Sequence, residues 1–159
     1  MPRARASIDT AALAAAFAAD GLHGTPIDRV AEAVSLAKPT LYARGGDKEA
    51  LFALAVEAEV ERLVERFDGG VPQIAAALDD YVKTPAASLL FVSARLGGSE
   101  RALRRITIAL TAAVGDERIA AALLGAAWAA LHGGPPVTSV ARLLPATDDN
   151  APPTGIWTA

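Results

Sequence analysis

The stretch from Ile27 to Leu51, IDRVAEAVSLAKPTLYARGGDKEAL, constrains this chain more than any other. Ile27, Val30, Ala31 and Val34 recur at i, i+3, i+4 and i+7, one apolar stripe of a short helix. Thr25 stands ahead of it as the expected N-cap, with Pro26 at the first helical position, where a missing N–H does no harm. Ser35 and Leu36 break the period. A second helix is expected from Ala37 or Lys38; it tolerates Pro39 in its first turn and ends at Gly45-Gly46. Asp47 can cap the next helix, and Glu49 suits the positive end of its dipole. Two short helices across a tight turn, followed at once by a longer one, make a helix-turn-helix pattern, in which the second helix is the one that reads DNA.

The run VAEAVSLAKPTLY, followed by DKEALF, resembles the N-terminal domain of the TetR family of repressors. The upstream FAADGLHGTPI matches as well, with Phe17 on the first helix, Gly21 ending it and Thr25 opening the second; the resemblance covers residues 8 to 67. It rests on several motifs in the right order and spacing. Three positions depart from the family pattern: Ser35 stands where the turn usually has Gly, Gly45 where a bulky aromatic is usual, and Arg44 where His or Tyr is frequent. Loss of the ring at 45 implies a recognition helix held less firmly, since Gly45-Gly46 also adds backbone freedom.

Composition supports an all-α chain. Of the 159 residues 52% are hydrophobic, but only 5% are aromatic, so the core must be built from small side chains, above all the strong helix former Ala. No run of β-branched alternation is present. The absence of cysteine removes disulfides and thiol chemistry, and two well-separated histidines do not suggest a metal site. No signal-peptide pattern opens the chain, and the longest apolar run, Ile119 to Leu131, is too short to span a bilayer, so a cytoplasmic protein is expected. No nucleophile motif, phosphate-binding loop or metal-spaced histidine pair points to an enzyme, and no cofactor is expected. Asp79-Asp80, adjacent on a helix, diverge and read as solvated charge.

The net charge of −3 is unusual for a nucleic-acid binder, but its distribution is informative. Arg3, Arg5, Arg29, Lys38, Arg44 and Lys48 are the cations before residue 50, and all lie where phosphate could be met. Lys38 and Tyr42 share a face of the recognition helix at i and i+4, flanked by Pro39 and Ala43, while Leu41 points to the core. Lys can donate to guanine or phosphate, and the Thr40 and Tyr42 hydroxyls suit phosphate oxygens. Lys48, with the N–H groups that open its helix, can hold an anion. The resemblance implies DNA contacts at Thr25, Lys38, Thr40, Tyr42 and Lys48; Arg29, Pro39 and Arg44 complete the expected interface. The alternatives are packing of Tyr42 on the first helix, plain solvated charge at Lys38 and Arg44, and a partnerless helix-start residue at Thr40.

The expected organisation is a three-helix DNA-binding domain over 1–47, a connecting helix over 48–67, a short helical ligand-binding and dimerisation domain over 68–144, and a disordered tail over 145–159. The connecting helix carries two apolar stripes, and its glutamates, Glu59 among them, read as a solvated face. Further helices are expected over 72–82, from Pro85 with Thr84 as its cap, over 99–114, over 116–132 and over 137–144. The helix around IAAALLGAAWAAL is apolar on nearly every side, which asks for burial, and in so short a chain for a partner subunit. Tyr81, Phe91, Arg95, Trp128 and His132 are candidates to line an effector pocket, with ordinary packing as the alternative and an interface anchor as a second one for Trp128. The resemblance implies a homodimeric repressor on double-stranded DNA with a palindromic operator and a small-molecule effector. The competing reading is a helical ligand- or protein-binding module that has lost specific DNA binding, motivated by Gly45 and the acidic balance.

Overall fold

The computed structural model describes residues 8–91 and 100–145. The basic tail with Arg3 and Arg5, Arg95, Gly97-Gly98, Ser99 and the segment holding Ile156-Trp157 lie outside the described residues. Among those described, every regular element is helical: α1 (Thr10–Ala18), α2 (Gly21–Gly24), α3 (Ile27–Ala33), α4 (Lys38–Gly45), α5 (Lys48–Val64), α6 (Val71–Tyr81), α7 (Ala86–Phe91), α8 (Glu100–Val114), α9 (Glu117–Leu131) and α10 (Val137–Ala141).

The helix starts follow from side-chain caps. Asp9 accepts from the N–H groups of Ala11 and Ala12, Asp47 from Ala50, and Asp116 from Arg118 and Ile119, each satisfying donors that a helix leaves open. Two expected caps are not formed. Thr25 does not cap α3; Pro26 takes that position without a side-chain bond, because the Thr25 hydroxyl turns back to Gly21 O at 2.7 Å. Thr84 does not cap α7 either, since its hydroxyl donates back to Tyr81 O at 2.7 Å.

α1 is the hub of the N-terminal part. Leu13 and Phe17 are buried, and Phe17 meets Phe52 of α5 edge-on at 5.3 Å between ring centres. α1 also packs on α3 and on α7, where Ser88 Oγ donates to Ala18 O at 2.6 Å. α5 runs from this cluster to α8, and α6, α9 and α10 pack together beyond it. The buried side chains form one continuous hydrophobic cluster from Leu13 to Val137, so α5 shares its two apolar stripes between the front and the back of the molecule.

Two expectations are corrected here. Glu59 is not solvated: it is 6% exposed, paired with Arg62 and facing the Tyr81 hydroxyl. Asp79 is not plain solvated charge either. Its carboxylate receives Val137 N–H at 2.5 Å, Thr138 N–H at 3.0 Å and Thr138 Oγ1–H at 2.7 Å, so it caps α10 from a distant helix. α9, expected to be buried with the help of a partner subunit, keeps one side exposed in the single chain. Arg118, Ala121, Gly125, Trp128 and His132, spaced at alternating threes and fours, form an exposed stripe along it.

Candidate nucleic-acid interface

α3 and α4 are joined by a turn through Ser35, whose φ of 54° is left-handed. In that turn Ser35 N–H donates to Glu32 O and Leu36 N–H to Ala31 O, both at 3.0 Å, which ties off the last carbonyls of α3. α4 then starts at Lys38 with Ala37 as its cap residue and Pro39 in the first turn. It ends at Gly46, whose φ of 81° lets its N–H reach Tyr42 O at 3.0 Å. Leu41, fully buried, fixes the rotation of α4; burial of such a side chain contributes about 2 kcal/mol.

With Leu41 inward, Lys38, Pro39, Tyr42, Ala43 and Arg44 are on the outer side of α4, and Thr40 is half-buried. Tyr42 is 43% exposed, so its ring is presented to the outside and is not core of the first helix. Lys48 opens α5 beside this surface, half-buried, while Asp47 engages the Ala50 N–H at 2.8 Å.

Two of the candidate cations are held by carboxylates. Lys38 Nζ lies 2.5 Å from Asp28, and Arg29 Nη1 lies 2.7 Å from Asp20. All four groups are well exposed, and pairs of this kind contribute about 0–1 kcal/mol, so a phosphate can displace them at little cost. The pairs therefore position the side chains more than they block them. Thr25 differs from the other candidates. It is fully buried, and its hydroxyl bonds inside the fold, which leaves no side-chain oxygen for a phosphate.

The missing aromatic at 45 does not leave a hole. A Cβ built on Gly45 would run into the Leu51 side chain and come within 2.9 Å of Ile8 Cδ1. Leu51 and Ile8 have closed over the site where a ring would sit, so the expected loosening of α4 is countered by direct packing of its last residue.

The aromatic and basic set expected around an effector pocket divides. Tyr81 and Phe91 are buried and lie edge-to-face at 6.5 Å, while Trp128 and His132 stack on each other at 4.4 Å on the exposed stripe of α9. Burial, reinforced by the Glu59 carboxylate, pushes the Tyr81 hydroxyl far above its usual range, so it stays a neutral donor. Tyr81 also lines a cleft with Glu59, Arg62 and Arg66 that the sequence did not indicate. A signal existed in the i, i+3 and i, i+7 spacing of Glu59, Arg62 and Arg66 along the end of α5 and the turn after it, but nothing local says that one of them is buried. Among the described residues there is no group of three His, Cys, Asp or Glu that could hold a metal, and no helix long and apolar enough to cross a membrane.

Residues 10–55 match the sequence model of the bacterial regulatory proteins of the tetR family. Neither the curated proteins nor the solved structures give a match. The matched residues are those that build α1 to α4 and the first half of α5, including the turn, the outward face of α4 and the capped start of α5. Helix order, turn geometry and family match agree over one segment, and residues 10–55 are thereby similar to the N-terminal DNA-binding domain of the bacterial regulatory proteins of the tetR family.

Proposed function

We infer that the chain acts as a homodimeric, ligand-responsive repressor that places α4 in the major groove of each half-site of a near-palindromic operator. The observation that carries this reading is the two-sidedness of α4: Leu41 is locked inward while Lys38, Pro39, Tyr42 and Arg44 are offered outward. Arg29, Thr40 and Lys48 flank that face and serve phosphates, positioning the helix without reading sequence. Residues 1–47 then form the reading head, 48–67 the connecting helix and 68–144 the effector and dimer domain of a cytoplasmic regulator. The family binds DNA and usually dimerises, and two heads held about one helical turn apart or slightly more would bind a two-fold site.

The dimer reading is supported by the exposed α9 stripe, with Trp128 47% exposed beside the small Ala121 and Gly125, and by Ile108, 63% exposed on α8. A second copy would cover these apolar groups while the small residues let helices approach closely. An effector would act only through different affinities for the two head arrangements.

The test is selection from a random duplex pool, followed by binding at two salt concentrations with Tyr42→Ala and Lys48→Ala as controls. Enrichment of a palindrome that both variants bind poorly is the expected result. Enrichment of nothing, with weak and equal binding by all three proteins, favours the second reading: a regulatory module without operator binding, to which the net charge of −3 lends support.

A further inference from the structure

Where α1, α5 and the segment leading into α7 meet there is an open cleft of about 240 Å³. Its sides differ in chemistry. Ala11 and Ala15 of α1, with Pro85 and Ala86 opposite, offer methyl and ring carbons. The other side is polar. Glu59 is buried and tied to Arg62, which also donates to Thr10 Oγ1 at 2.5 Å. The Tyr81 hydroxyl faces the second Glu59 oxygen at 3.4 Å. Arg66, four residues beyond Arg62 in the turn that follows α5, lines the same cleft, is exposed, and has no carboxylate partner among the described residues.

The charges decide what such a site would take. Glu59 and Arg62 cancel, Tyr81 is neutral, and Arg66 leaves one positive charge over. Guanidinium and carboxylate match in a two-pronged geometry. The volume is below the range of about 300–1,000 Å³ that holds a drug-sized molecule, so the occupant is compact. The alanine and proline side suits a short hydrocarbon body.

We propose that this cleft binds a small organic carboxylate, its charged end on Arg66 and its body against Ala11, Ala15 and Pro85, and that it is the effector site of the regulator inferred above. The effector half of the proposal rests on that reading; the binding half does not. The placement is what makes it regulatory: α1 belongs to the reading head, and Pro85 and Ala86 stand at the start of α7, whose Ser88 already bonds to α1. A ligand seated here touches both sides of the joint. It can shift the heads only if it fits one arrangement better than the other.

The full chain would be titrated with benzoate, hexanoate and octanoate by calorimetry and by amide chemical shifts, with benzamide as the uncharged counterpart of benzoate. Ala15→Leu fills the cleft from an exposed position, and Arg66→Gln removes the charge from another; thermal melts confirm that both fold. Saturable binding of at least one acid is expected, with shifts at Ala11, Ala15 and Ala86. Arg66→Gln weakens it about tenfold, and Ala15→Leu abolishes it. No saturation with any acid at millimolar concentration, benzamide binding as well as benzoate, or undiminished binding by Ala15→Leu overturns the site. Duplex affinity is then measured with and without the bound acid. An unchanged affinity overturns the effector half alone, and a chain that binds no DNA at all overturns the repressor reading while the titrations still decide the site.

Discussion

Ser35 holds a left-handed backbone, φ 54°, at the turn on which the whole reading head depends. A side chain in that region costs about 1 kcal/mol, and glycine relieves it. Ser35→Gly is therefore expected to raise the melting temperature, by about 0.5–1 kcal/mol in stability, with DNA affinity unchanged or slightly higher. Gly45 is the reverse case. Its helical backbone tolerates any residue, but Leu51 and Ile8 fill the space a side chain would need. Gly45→Ala should destabilise by about 1–3 kcal/mol as the two side chains are pushed off their positions. A denaturant melt checks both, and a stabilised Gly45→Ala protein would show that Leu51 and Ile8 yield freely. One departure from the family pattern thus adds strain, while the other is compensated by packing.

At the scale of the element, α10 depends on a residue it does not contain. Only five residues long, it is too short to be stable alone and is fastened by Asp79 of α6 through three hydrogen bonds. Desolvation raises the Asp79 pKa, but the bonds from the Thr138 hydroxyl and the Thr138 and Val137 N–H groups outweigh it and hold the carboxyl below its ordinary value. A carboxyl with a depressed folded pKa adds stability above its unfolded pKa, about 3.9, and loses it as pH falls through the folded value. Asp79→Ala is expected to lower stability by about 1–2 kcal/mol at pH 7, and the gap to the parent protein should close below about pH 4. Unfolding curves at pH 7 and pH 3 measure it; an equal gap at both would mean that the carboxylate charge does not matter.

For the molecule as a whole, the proposed dimer would use the exposed groups of α8 and α9. Ile108 is 63% exposed in a single chain, so replacing it leaves the protomer core untouched. Ile108→Glu is expected to shift sedimentation from dimer to monomer at micromolar concentration and to weaken operator binding at least tenfold, since each head then binds alone. A variant that sediments like the parent chain would place the interface elsewhere. Arg105 stands nearby, paired with Glu57 and within 4.0 Å of Glu61, so α8 is fixed to α5 by charge on its outer side as well as by Ile106 and Leu110 inside. The position of α8, and of the dimer face proposed on it, is thereby tied to α5.

Much of this was legible along the chain because local patterns encode local bonds. The apolar spacing of Ile27, Val30, Ala31 and Val34, the inward Leu41, the Asp47 and Asp116 caps and the glycine stops all act within a few residues, and the helices follow them closely. The outward face of α4 follows from the same period. What the tertiary structure alone decided involves partners far apart in sequence. Glu59 meets Tyr81 across 22 residues, and Asp79 meets Val137 across 58. Both looked like surface carboxylates, since on a single helix they have charged or polar neighbours and no visible reason to be engaged. The Thr25 hydroxyl and the space beside Gly45 are further instances: which way a short side chain bonds, and which distant methyl groups fill a gap, depend on how the helices pack. Sequence sets each helix and its faces through short-range hydrogen bonds and periodicity; only packing brings together side chains whose separation along the chain carries no periodic signal.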